Sequence, residues 1–163
     1  MKPKNLIVYY SQSGNTRRIS ELIQKQIGGE MYEIIPEKAY KSLYLGGGMR
    51  IKKERESGIL PKLRTPLPDT KAYDLIFLGT PNWGNSLSHP VLAFLKQDNL
   101  AGKIVIPFCT HGGGGAGHIE TDIKRYCPQA NVQTIFETYG NGGFSVEKTI
   151  ATWLGKYQNK NVI

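Results

Sequence analysis

The chain has 163 residues, 39% hydrophobic and 21% charged, with a formal net charge of +8. That length fits a single domain spanning residues 1–163, and the balance of apolar and charged residues excludes both a disordered chain and a membrane-spanning one. The charge is uneven: residues 1–72 hold 14 Lys/Arg against 7 Asp/Glu, and residues 73–163 hold 7 against 6. Such a field attracts anionic partners but says nothing about the fold.

Met1-Lys2-Pro3-Lys4 precedes an apolar run too short for a signal-peptide core and without a small-residue cleavage site, so a cytoplasmic protein with no membrane partner is expected. Leu6, Ile7, Val8, Tyr9 and Tyr10 form that run, which predicts a strand buried on both faces. It stops at Ser11-Gln12-Ser13-Gly14-Asn15-Thr16, after which Ile19, Leu22, Ile23 and Ile27 recur at helical spacing as far as Gly28-Gly29. A polar loop between a strand and a helix N-terminus offers hydroxyls, backbone N–H groups and the positive end of the helix dipole, a setting for an anion such as phosphate. The loop lacks the Lys of a nucleoside-triphosphatase loop and two of the three glycines of a dinucleotide loop. It suits one terminal monoester phosphate better than a polyphosphate. Its plainer reading is an ordinary capped helix.

Met31, Tyr32, Ile34 and Ile35 predict a second strand ended by Pro36, and Glu37 to Ala72 a long basic connection with a helix around Arg50 to Glu56. Leu75 to Leu78 predict a central third strand. It is followed by the turn-rich stretch Gly79-Thr80-Pro81-Asn82-Trp83-Gly84-Asn85-Ser86 and a helix through Pro90, Val91, Leu92, Phe94 and Leu95. Lys103 to Cys109 predict a fourth strand, Thr110 to His118 a glycine-rich loop, and Ile119, Ile123 and Tyr126 a helix ended by Pro128. A fifth strand near Val132 to Thr138 and a helix with Val146, Ile150, Trp153, Leu154 and Tyr157 close the chain. Cys109 and Cys127 have neither C-x-x-C nor zinc-ligand spacing and read as small core residues. His111 and His118 lack the carboxylate-rich surroundings of a metal site, so no metal is expected.

Strands alternating with helices through right-handed crossovers make an α/β doubly wound parallel sheet, whose ligands sit beyond the carboxyl ends of the strands. The three polar loops all lie at such ends. The first can hold a phosphate, the second offers the flat ring of Trp83 to a heterocycle, and the third exposes backbone groups through its glycines. Together they describe a site for a mononucleotide with a large planar head. Trp83 as a packed aromatic and the glycine run as a merely flexible loop are the competing readings.

Tyr10-Ser11-Gln12-Ser13-Gly14-Asn15-Thr16, Gly79-Thr80-Pro81-Asn82-Trp83-Gly84 and Pro107-Phe108-Cys109-Thr110-His111-Gly112-Gly113 resemble the three flavin-binding loops of the flavodoxins, in a bacterial FMN-binding subgroup. The resemblance covers nearly the whole chain. It implies a flavodoxin-like sandwich, a five-stranded parallel sheet of order 2-1-3-4-5 with helices on both faces. It also implies that Ser11, Ser13, Gly14, Asn15 and Thr16, with Gln12 in the same loop, take the FMN phosphate. Thr80, Pro81, Asn82, Trp83, Gly84, Thr110, His111, Gly112 and Gly113 then frame the isoalloxazine, and the flavin carries the electrons. Flavodoxins are usually acidic, whereas this chain is basic. Many also cover the outer flavin face with a tyrosine from the third loop, where this sequence has glycines and His111. The leading expectation is an electron-transfer protein with an acidic redox partner docking near the flavin edge through the basic segment 38–64; its plainer alternative is a solvated surface helix. The alternatives are an NAD(P)H-dependent FMN reductase of quinones or similar acceptors and a basic nucleic-acid-binding domain, the latter without any nucleic-acid-reading motif.

Overall fold

The computed structural model describes residues 3–163. Strand β1 (Asn5–Tyr9) leads into helix α1 (Asn15–Ile27), strand β2 (Glu30–Glu33) and the long connection that carries helix α2 (Gly47–Ser57). Strand β3 (Leu75–Pro81), helix α3 (His89–Gln97), strand β4 (Ile104–His111) and helix α4 (Ile119–Tyr126) follow. Strands β5 (Asn131–Val132) and β6 (Phe136–Tyr139) and helix α5 (Val146–Gln158) complete the chain. All strand pairs are parallel and the order is β2-β1-β3-β4-β5, as the resemblance to the flavodoxins implied.

The sixth strand is an addition. β5 and β6 both pair with β4, at Ile104–Val105 and at Phe108–His111, so the predicted fifth strand is one path broken in the middle. The break has a local cause: Gln133 N–H still donates to Val105 C=O, but the Ile135 N–H turns away to the Glu120 carboxylate at 2.9 Å. A side chain from α4 has taken a ladder donor.

β1, β3 and β4 are continuously buried because helices cover both faces. One face packs Leu6, Val8, Ile76, Leu78 and Val105 against Ile51 of α2, Val91 and Phe94 of α3 and Ile123 of α4. The other packs Ile7, Phe77, Ile106 and Phe108 against Ile19 and Ile23 of α1 and Ile150 and Leu154 of α5. The alternation of side chains along each strand decides which residue meets which layer. α1 stops where Gly28 takes φ 70° and donates back to Gln24 C=O at 2.7 Å.

Two boundaries differ from the sequence reading. β2 ends at Glu33, and Ile34 continues only as a single bond, its N–H donating to Tyr9 C=O. β3 runs three residues beyond Leu78 and β4 two beyond Cys109, with Thr80 opposite Cys109 and Pro81 opposite Thr110. Thr80, Pro81, Thr110 and His111 are therefore strand residues, and the free loops begin at Asn82 and Gly112.

Candidate functional site

The first loop is held from within. Ser11 Oγ accepts from the Gly14 N–H at 3.1 Å and the Arg17 N–H at 3.2 Å, so this hydroxyl shapes the loop. Gly14 has φ 92°, a left-handed conformation that turns the chain into α1. The amides of Asn15 and Thr16, at the start of α1, have no acceptor within the helix, and the Ser13 side chain stands exposed beside them. Thr16 is 1% exposed and shares a 2.9 Å hydrogen bond with the hydroxyl of Thr110 across the crevice floor, joining the first loop to the end of β4. Gln12 Nε2 donates to Lys41 C=O at 2.9 Å, tying the same loop to the β2–β3 connection.

Sequence reasoning found no cation here, yet the first turn of α1 carries two. Arg17 pairs with Glu33 at 2.6 Å, and Arg18 reaches Gly143 C=O at 3.4 Å. Arginines and no acid in a first turn oppose the helix dipole. That pairing of two arginines with a helix start was the available signal.

The second and third loops are zipped to each other. The Asn82 N–H donates to Thr110 C=O at 2.9 Å, and its side-chain amide donates to Gly115 C=O at 2.6 Å while accepting from the Asn85 N–H at 2.7 Å. The His118 N–H donates to Asn85 C=O at 2.7 Å, and a Cβ on Gly117 would stand 2.6 Å from that same oxygen, so only glycine allows the approach. The Ala116 N–H donates to the Glu137 carboxylate. Thr80, fully buried, bonds Ser88 and fixes the start of α3. His111 Nδ1 accepts from the Gly113 N–H at 3.1 Å, and its ring meets that of Tyr139 edge to face at 6.1 Å.

Trp83 is 7% exposed. Its ring lies edge to face with Tyr10 at 5.6 Å, Tyr40 at 4.9 Å and His89 at 5.6 Å. In this arrangement it is a packed aromatic and presents no open face to a heterocycle.

Behind Trp83 lies a hub that the sequence did not announce. Glu54, on the inner face of α2, accepts from Tyr40 Oη at 2.6 Å and Arg50 Nε at 2.8 Å, and its third partner is His89 Nδ1 at 2.7 Å. Burial pushes this carboxyl up, but the bonds from Tyr40, His89 and Arg50 outweigh it and hold it below the ordinary carboxylate range. Burial raises the Tyr40 phenol, and so does its bond to Glu54; burial likewise raises Tyr10. Arg55 donates to Trp83 C=O at 3.1 Å, with Gly84 at φ 62° leaving room for its guanidinium. α2 thus grips the second loop from behind.

What remains open is the space above the glycines. A Cβ on Gly14, Gly112 or Gly113 would meet no atom within 4 Å. Gly14 and Gly113 have left-handed φ, which explains them as backbone. Gly112 has neither a left-handed φ nor a neighbour, so nothing within the protein requires glycine there. Bare backbone facing open space, donors at a helix start and a hydroxyl at Ser13 fit a phosphorylated planar ligand lying across the loops. Among the described residues no three His, Cys, Asp or Glu side chains cluster as metal ligands, and no helix is long and apolar enough to cross a membrane. The thiols are buried, and burial pushes Cys109 up to about 12 and Cys127 to about 11, so neither is a reactive group.

The flavodoxin family model matches residues 4–157. No curated protein matches. Among solved structures, a provisionally designated flavoprotein of Bacteroides uniformis is 29% identical, with 95% of this chain and 99% of that one covered at a TM-score of 0.83. One of Bacteroides eggerthii, provisionally designated likewise, is also 29% identical, covering 94% and 96% at 0.80. A flavoprotein of Lactobacillus acidophilus solved in complex with FMN is 23% identical, covers 90% and 97%, and superposes at 0.74. Sheet order, loop placement and a family match over nearly the full length agree: the chain belongs to the flavodoxin family.

Proposed function

We propose that the chain binds FMN across its three loops and works as an electron-transfer flavoprotein. The observation that carries this reading is the open, side-chain-free floor at Gly14, Gly112 and Gly113, set at the ends of β1 and β4, the two strands that flank β3, beside the start of α1. The FMN in the Lactobacillus acidophilus relative supports the identity of the ligand. Bound FMN would supply the redox chemistry. The protein's own part is to hold it: the Ser13 hydroxyl and the Asn15 and Thr16 amides take the phosphate, with Arg17 and Arg18 adding positive charge nearby. The glycines of the third loop and the backbone of Asn82 to Gly84 border the ring. Trp83 acts from behind by keeping that backbone in place.

Ser13→Ala removes one charge-assisted hydrogen bond, of about 1.5–3 kcal/mol. FMN affinity falls at least about tenfold, while riboflavin, which has no phosphate, binds as before. Equal losses for the two ligands would show that the first loop is not the phosphate site. Mixing the holoprotein with NADPH under anaerobic conditions separates carrier from reductase: a carrier stays yellow over the turnover time of ordinary enzymes, about 0.1 s.

A further inference from the structure

α2 has two faces that do different things. Arg50, Ile51, Glu54 and Arg55 point inward to Tyr40, the core and the second loop. Met49, Lys52, Lys53 and Glu56, spaced i, i+3, i+4 and i+7, share the outer face. The 3-10 turn Leu43–Leu45 precedes that helix, and its N-terminal lead is tied to the first loop by the bond from Gln12 to Lys41. Leu43, Tyr44 and Leu45 are 63%, 98% and 73% exposed, and Met49 is 79% exposed. Four large apolar side chains so bare are unusual for a soluble surface, and grouped on a knuckle they mark a contact site. Exposed Lys41, Lys52 and Lys53 accompany them, and the exposed acid on that face of α2, Glu56, sits 3.8 Å from Lys52.

We infer that this knuckle and the outer face of α2 form the docking surface for an acidic redox protein whose contact patch is apolar at its centre and rimmed by carboxylates. The inference rests on the proposed electron-transfer function. Charge complementarity selects the sign of the partner, and the tie through Gln12 puts the surface on the rim of the crevice, where a donor must come close to the flavin. An apolar centre with a charged rim is the usual division of labour in such a contact: the lysines steer encounter, and the buried apolar side chains slow dissociation. Arg55 does not belong to this surface although it is part of the basic run, because it holds the second loop.

The probe is a reduced, acidic [2Fe–2S] ferredoxin, which gives an electron to bound FMN as its own cluster is oxidised. Its affinity for the chain and its rate of flavin reduction are measured at about 20 and about 200 mM salt. The parent binds more tightly at low salt. Lys52→Glu/Lys53→Glu and Tyr44→Ser/Leu45→Ser each lower affinity by about tenfold or more, and dithionite, a small reductant, reduces all forms alike. Lys148→Glu/Lys156→Glu, the same change in net charge on α5, leaves affinity within about twofold, because distant charges are screened. Parent protein that does not bind the ferredoxin, or α2 and α5 variants that lose equally, would overturn the inference. Sedimentation with vesicles of phosphatidylcholine and phosphatidylglycerol, combined with indifference to ferredoxin, would overturn it in favour of a lipid surface. Ferredoxin affinity can be read on apoprotein, so failure of docking is distinct from failure to bind FMN.

Discussion

The crevice is rimmed by two kinds of construction. At the ends of β1 and β4 the walls are backbone: Gly14, Gly112 and Gly113 face open space, and the nearby hydroxyls of Ser11 and Thr16 are spent on holding the chain. Between β2 and β3 the wall is side chain: Glu54 gathers Tyr40, Arg50 and His89, and Trp83 fills the gap between their rings. The first kind leaves a surface for a ligand. The second leaves none, and instead fixes one loop in one place.

If Trp83 belongs to the second kind, its removal is chiefly a stability effect. Truncating a buried tryptophan costs about 3–5 kcal/mol, so Trp83→Ala should lower denaturant stability as much as Trp153→Ala, which removes a ring stacked on Phe136 at 4.7 Å. Equilibrium unfolding of both variants tests this. A stable Trp83→Ala protein that has lost only its flavin would return Trp83 to the role of an exposed platform and break the contrast.

The contrast also explains what could be read in advance. Strand and helix periodicity is local, so the alternation of strands and helices and the three loops were legible from runs such as Leu6–Tyr10 and Leu75–Leu78, whereas the sheet order came only through the resemblance to the flavodoxins. Glycine and hydroxyl signals are local too, which is why the first loop was found. The Glu54 hub draws on residues 40, 50, 54 and 89, and no spacing announces that a glutamate in a basic run will face inward. For the same reason Arg55 passed for surface charge until its bond to Trp83 C=O was seen. The strand ends at Thr80–Pro81 and Thr110–His111 were missed because pairing, which carried them on, depends on the neighbouring strand.

Glu54 gives a second way to sharpen the comparison. Its carboxyl is held below its ordinary value in the fold, so its contribution is present above the unfolded value of about 4.3 and is lost as pH falls through the lower, folded value. Glu54→Gln keeps the shape but removes the charge, and at neutral pH should cost about 1–2 kcal/mol. The gap between parent and variant should stay constant down to about pH 5 and close in more acidic solution, as pH-dependent unfolding will show. A gap independent of pH would mean that the hub stabilises through packing alone.

The smallest expected effect on the fold, and the most telling for the open wall, is at Gly112. Its φ lies outside the left-handed region and a Cβ would touch nothing within 4 Å, so Gly112→Ala meets neither strain nor clash. Gly→Ala at such a position also reduces the freedom of the unfolded chain, which favours the fold by about 0.4–1 kcal/mol. Stability should therefore stay level or rise slightly. Flavin binding should nonetheless weaken severalfold, because the new methyl group stands where the ligand's ring would lie against the backbone. Gly117→Ala makes the internal control: there the Cβ collides with Asn85 C=O, and stability itself must fall. If Gly112→Ala binds FMN as tightly as the parent, the ring does not rest on the third loop, and the open floor would have to be assigned to the first loop alone.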